Sequence, residues 1–242
     1  MRPVGLPRWR AALAVVAHPD DESFGLGAVL STLAERGTAV SVLCLTQGEA
    51  STLHGVAGEL AALRAREVAQ AAEVLGLAGV TLRAYPDGGL TGVSLDVLSA
   101  EVQEAARAAN IDGIVAFDSS GVTGHPDHTR ATQAALAAAQ TLRLPVLAWT
   151  VPVTVADVLN VEFDVAFTGH RPEDINVIVP VHRVRQLRAV ACPASQAVPG
   201  SVLWRRLDLL AGEEHLRWLT APQGQQAEAD HGMTRAPAPA AT

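Results

Sequence analysis

The sequence predicts a three-layer α/β protein, with a mainly parallel β-sheet and helices on both of its faces. Three observations predict it. Short, uninterrupted apolar runs recur through the first two thirds of the chain, and such runs mark strands covered on both sides. Stretches of helical length and period lie between them, and several end at glycine. Strands alternating with such helices form βαβ units, whose right-handed crossovers put helices on both faces of the sheet.

The elements follow in order. AALAVVA (11–17) is the first buried strand, and FGLGAVLSTLAERG is a helix ending at Gly37. TAVSVLCLT (38–46) is the second strand, and the Ala-rich stretch 59–76 is a helix closed by Gly76. VTLRAY (80–85) is a strand and PDGG after it a turn. The next helix takes Ser94 as its candidate N-cap. IDGIVAF (111–117) is a strand, HTRATQAALAAAQTL a helix and PVLAWTV (145–151) a strand. Beyond about residue 150 the pattern changes: VAFTG and INVIVPV read as two strands around the turn-like HRPED. RVRQLRAVACPASQ reads as helical, and VLWRRLDLL and EEHLRWL as short amphipathic pieces. Residues 1–221 thus form a single domain, and 222–242, rich in Ala, Pro and Gln without apolar periodicity, read as a disordered tail.

Composition excludes several functions. The net charge of −7 repels phosphate backbones, and 4% aromatics provide no stacking platform, so nucleic acid is not an expected partner. All 18 basic residues are Arg, which rules out a Schiff-base or P-loop lysine. Two distant cysteines, Cys44 and Cys192, make neither a zinc knuckle nor a disulfide framework, and a reducing cytoplasm is the simplest setting. No stretch approaches a membrane span, and the apolar run near the N-terminus is too short for one. Gly25 and Gly27 imitate a dinucleotide fingerprint, but Leu30 occupies the third glycine position and acidic residues stand where a pyrophosphate would go.

Two segments carry chemistry. VVAHPDDES places His18, Asp20, Asp21 and Glu22 directly after the first strand, and FDSSGVTGHPDHT places His125, Asp127 and His128 after the fourth. In an open parallel sheet, ligands bind outside the C-terminal strand ends, so clusters distant in sequence can share one crevice. Imidazole with carboxylate suits a first-row metal, most often zinc, which in catalytic sites takes three protein ligands and keeps one open position. His18 and Asp21 supply two ligands and a histidine of the second segment the third. Asp20 is then a free carboxylate beside the metal, as a general base requires. One Asp-rich turn alone would be read as a helix cap; two such segments behind buried strands are not explained that way.

AHPDDE, then TQGE, then R-x-x-E on a helix ending in LG, then HPDH, resembles the PIG-L/LmbE family of zinc-dependent N-deacetylases over roughly residues 11–135. The resemblance implies a Rossmann-like fold and removal of acetyl from an N-acetylglucosamine-type amide. It implies that His18, Asp21 and His128 bind Zn2+, or another divalent first-row metal, and that Asp20 is the base for the water at the metal. His125 would stabilise the oxyanion or protonate the leaving amine, with Asp127 holding His125 in orientation. Arg64, Glu49 and Asp87 would bind substrate, a small N-acetylated amino sugar or conjugate. From the residues alone, Arg64 and Glu67 equally fit a surface ion pair, Asp87 a turn residue and Glu49 a solvated side chain. The resemblance departs at CPASQ, where Pro193 stands in place of a histidine common in the family and Ser195 and Gln196 are kept.

Two alternatives stand beside this activity: a zinc hydrolase of another amide or ester, and a metal-binding protein without turnover. Asp20 and His125 have no purpose in a purely structural zinc site, which favours catalysis. His170, His182 and His215 read as surface or satisfied histidines, Cys44 as core, and His54 as a loop residue near the pocket mouth. A homo-oligomer is left open.

Overall fold

The computed structural model describes residues 5–51, 57–193 and 196–222, the side chains of 57–59 excepted. One sheet of seven strands runs through it, in the order β3-β2-β1-β4-β5-β7-β6. Its parallel part comprises β1 (Ala11–Val16), β2 (Ala39–Thr46), β3 (Gly79–Tyr85), β4 (Gly113–Phe117) and β5 (Val146–Thr150). β6 (Val177–Pro180) and β7 (Glu213–Thr220) complete it, and β7 is antiparallel to both β5 and β6.

Strand alternation divides the apolar runs between two cores. Ala12, Ala14 and Val16 of β1 join Val40, Val42, Val115 and Trp149 beneath helix α2 (Gly27–Glu35) and helix α6 (Val153–Phe163). Leu13 and Val15 join Leu43, Ile114 and Val146 on the other face, beneath α4 (Leu95–Ala109) and α5 (Pro126–Leu142). α5 buries Ala131, Ala134, Ala135, Ala138 and Ala139 there, and these small side chains bring its axis close to the sheet. The three layers and both helical faces are as the sequence predicts.

Three local expectations are corrected. The helix expected from Phe24 to Gly37 is two pieces, α1 (Asp21–Phe24) and α2, broken at Gly25 and Leu26. A Cβ on Gly25 would lie 2.5 Å from the Phe117 ring, so the break lets the chain pass over the end of β4. Ser94 occupies the N-cap position of α4 without a side-chain capping bond. VAFTG is not a ladder strand: its neighbour His170 makes one isolated bridge to Pro152, and the run of β-branched residues before VAFTG forms α6. EEHLRWL is the strand β7 rather than an amphipathic piece. The remaining helices are α3 (Ala57–Leu75), α7 (Val184–Val190) and α8 (Val202–Leu210). Among the described residues no helix is long and apolar enough to cross a membrane. The expected tail, from 223 onward, lies outside the described residues.

Candidate metal centre and active-site cleft

Strand order reverses at β1, which has β2 on one side and β4 on the other. A crevice opens at such a switch point, outside the C-terminal strand ends. β1 delivers His18, Asp20 and Asp21 into it, and the loop after β4 delivers His125 and His128 at the start of α5. The two sequence-predicted segments therefore meet.

Three side chains converge. His18 Nδ1 lies 3.1 Å from His128 Nε2, His128 Nε2 lies 3.1 Å from Asp21 Oδ1, and His18 Nδ1 lies 3.7 Å from Asp21 Oδ2. Ligands around a tetrahedral zinc with bonds near 2.0–2.1 Å stand about 3.3 Å apart, so this donor set and spacing fit such an ion. His125 is also close enough to His18 and His128 to belong to a cation-holding group.

Each of the three is held from behind. His128 Nδ1 meets the Gly121 carbonyl at 3.2 Å and Thr123 Oγ1 at 2.8 Å. A carbonyl only accepts, so Nδ1 carries the proton and Nε2 is left as a bare donor of its lone pair. Asp21 Oδ2 accepts from the backbone N–H groups of Ala17 (3.1 Å) and His18 (2.9 Å), which leaves Oδ1 facing His128. His18 Nε2 faces Asp87 Oδ1 at 3.2 Å and Asp127 Oδ2 at 3.5 Å, a carboxylate–histidine arrangement that sets ring orientation and raises ligand basicity. Burial disfavours the charged form of His18, but Asp127, Asp87, Asp21 and Asp20 outweigh it and hold the imidazole up at about 10. Burial acts to raise the Asp21 carboxyl, and His128 and His18 override it and hold it well below the usual range.

Asp127 differs from the expectation. Its carboxylate accepts from the N–H groups of Gly88 (2.8 Å) and Leu90 (3.0 Å) and faces His18, not His125. Its link to His125 is its backbone N–H, which donates to His125 Nδ1 at 3.2 Å. That bond caps α5 and leaves the proton of neutral His125 on Nε2. Burial and the neighbouring His18 and His128 push the His125 imidazole below its ordinary value, which favours the neutral form.

Asp20 is separated from Asp21 by backbone geometry. Its φ of 138° lies in the region L-residues avoid, and α1 starts at the next residue. Asp20 Oδ2 accepts from Arg64 Nη2 at 2.6 Å. Arg64 is buried, contradicting a surface ion pair, and also donates to the carbonyls of Pro19 and Gly48. Gly48, at φ +67°, must be glycine here: a Cβ would stand 2.6 Å from the Arg64 guanidinium. Burial, then the Asp21 charge, raises the Asp20 carboxyl to about 6 against the pull of Arg64. Buried Glu22 accepts from the Asp20 N–H at 2.9 Å, and burial pushes its carboxyl up to about 8.

His18, Asp20, Asp21, Arg64, His125 and His128 line a cleft of about 390 Å³ whose other walls include Phe24, Phe117, Phe167 and Leu203. Asp87 faces it, with Oδ2 accepting from Ala50 N–H. Glu49, expected to touch substrate, does not line it; its Oε1 accepts from Asp87 N–H at 2.9 Å and ties the loops after β2 and β3 together. His54 and Ser195 lie outside the described residues, and Gln196 Oε1 accepts from Ser51 Oγ. His170 is satisfied by Asp118 at 3.0 Å. Sequence reasoning missed two residues. Thr123, in the loop before His125, was one. The other was Arg206, whose spacing from Leu203 and Leu210 puts an arginine on the apolar face of α8.

The family described as PIG-L, GlcNAc-PI de-N-acetylase, matches residues 13–139. A 1D-myo-inositol 2-acetamido-2-deoxy-alpha-D-glucopyranoside deacetylase of Kineococcus radiotolerans is 30% identical over 160 residues, 53% of this chain and 44% of that protein. The chain spans about half the length of the curated relatives it matches. An N,N'-diacetylchitobiose deacetylase from Pyrococcus horikoshii superposes with a TM-score of 0.65 at 20% identity, covering 90% of this chain and 89% of that one. The zinc-inhibited form of a teicoplanin deacetylase gives a TM-score of 0.66 at 20% identity, covering 88% and 100%. At these identities the structural likeness is one of fold.

Proposed function

Because the chain belongs to the PIG-L family, we propose that it is a zinc-dependent hydrolase removing acetyl from an N-acetylglucosamine-type amide. The observation that carries this is the convergence of His18 Nδ1, Asp21 and His128 Nε2 with Asp20 left outside the ligand set. Relatives named as deacetylases of an acetamido sugar support it. A cytoplasmic setting agrees with the two unpaired thiols.

His18, Asp21 and His128 would hold the metal. When bound, zinc supplies a Lewis acid that polarises the amide carbonyl and acidifies a water. Asp20 accepts the proton of the attacking water, and Arg64 fixes the carboxylate for that transfer. His125 points its Nε2–H at the carbonyl oxygen as a hydrogen bond that strengthens as charge develops there, and keeps its proton. Asp20 then returns its proton to the departing nitrogen, and the products are a free amine and acetate.

Acetate release from N-acetylglucosamine conjugates by zinc-loaded protein, lost on chelation and restored by zinc, is the expected result. Full zinc occupancy without acetate release from any conjugate would overturn the proposal.

A further inference from the structure

Arg206 lines the same cleft as His18, Asp20 and His128, yet is only 5% exposed. Its guanidinium carbon stands 4.9 Å from the centroid of the Trp149 ring, and Trp149 is fixed in turn by a 2.8 Å bond from Nε1 to Glu214 Oε2. Nη2 donates to the Phe24 carbonyl, and Nε has no hydrogen-bond partner. Two other arginines near the cleft core pair with carboxylates: Arg64 with Asp20, and Arg183 with Glu214 at 2.5 Å. Among the described residues Arg206 has no carboxylate at ion-pair distance; Glu214, whose charge acts on it from farther off, is bonded to Arg183 and Trp149.

A guanidinium withdrawn from water without a counter-ion is costly, and an anion relieves the cost. Fastening α1 to the body does not require a charge at this place. Gln186 Nε2 already donates to the Ser23 and Phe24 carbonyls, at 3.2 Å each. The cleft that Arg206 lines is walled in part by Phe24, Phe117, Phe167 and Leu203, apolar surface that strengthens an ion pair formed against it.

We propose that Arg206 is the subsite for an anionic oxygen group, a carboxylate or a phosphate, carried by the substrate. The cleft then selects an N-acetylated sugar bearing an anionic aglycone over one with a neutral aglycone. This rests on the deacetylase reading of the same cleft.

The test compares three conjugates of N-acetylglucosamine that differ only in the aglycone: a neutral polyol, its carboxylate and its phosphate. The wild type should turn over an anionic member with kcat/KM at least about tenfold above the neutral one, and the better of the two names the anion. Arg206→Gln should remove that preference through KM and leave the neutral conjugate within about threefold, while Arg206→Lys keeps part of it. Equal loss on all three conjugates would mean a structural role only. Absence of an anionic preference in the wild type would overturn the proposal whether or not the variants fold. Calorimetric titration of the three deacetylated amines separates the two readings. Arg206-dependent binding of an anionic amine without hydrolysis of any conjugate would keep the subsite and discard the deacetylase activity. Equal binding of all three amines would discard the subsite.

Discussion

Arg64 Nη2 stands 2.6 Å from Asp20 Oδ2, so a buried guanidinium on α3 sets the direction of a carboxylate that follows β1. The same fork reaches the carbonyls of Pro19 and Gly48, which ties the two strand-end loops to one side chain. Arg64→Gln should fold and keep its zinc, with turnover down roughly 10–100-fold, as for loss of a group that orients a site residue. Removing the cation also raises the Asp20 carboxyl, so the acidic limb of the pH–rate profile should move to higher pH. A variant with an unmoved limb would show that Arg64 does not act through Asp20.

Asp20 and Asp21 are chemically identical neighbours with different surroundings. Asp20→Asn keeps the shape and removes the basicity. Zinc content should stay at wild-type level while kcat falls roughly 10²–10⁴-fold, the usual worth of a general base. Near-normal turnover with zinc bound would exclude Asp20 as the base.

Asp21→Ala removes a donor that faces His128 at 3.1 Å. Elemental analysis after dialysis should find zinc sharply reduced, with the circular dichroism of the fold retained. Undiminished zinc in this variant would place the metal on other residues.

His215 on β7 gives a pH dependence remote from the cleft. Burial holds its imidazole below the ordinary value, with Arg183 adding to this and Glu214 and Glu213 opposing. Its Nδ1 has no hydrogen-bond partner. The unfolded chain therefore binds this proton more readily than the folded one. The contribution is fully present above about pH 6.5 and is lost as pH falls from there through the lower folded value. Urea midpoints should decline over that window, and His215→Gln should flatten the decline. An identical decline in the variant would assign it to other groups.

What was legible in the sequence was what is local. An uninterrupted apolar run followed within a few residues by HPDD, or by HPDH at a helix start, carries both the strand and the donor atoms, and β1, β4 and their site residues could be read directly. Arg206 was only half legible: its spacing from Leu203 and Leu210 puts an arginine on the apolar face of α8, but only the tertiary fold turns that face toward the cleft. Asp127 holds His125 through its backbone N–H, while the turn after β3 and the crossing of two strand ends bring its carboxylate to His18, which sequence proximity does not reveal. VAFTG has strand composition but finds no ladder, and EEHLRWLT was overlooked because its partners, β5 and β6, lie far away in sequence. β-propensity reports fit to a pleated surface, and the surface must already exist.

The position of β7 between β5 and β6 also orders events during synthesis. A ribosome delivers the parallel strands and both metal-centre segments first, and β6 afterwards, when no neighbour exists to receive it. Until residues 213–220 emerge, the outer edge of β5 offers a bare row of amides, and Trp149 lacks the acceptor Glu214. Chains truncated after residue 210 and released from the ribosome should therefore need chaperone protection and should be cut by protease at β6 while β1 resists. β7 acts as the keystone that joins two otherwise separate edges.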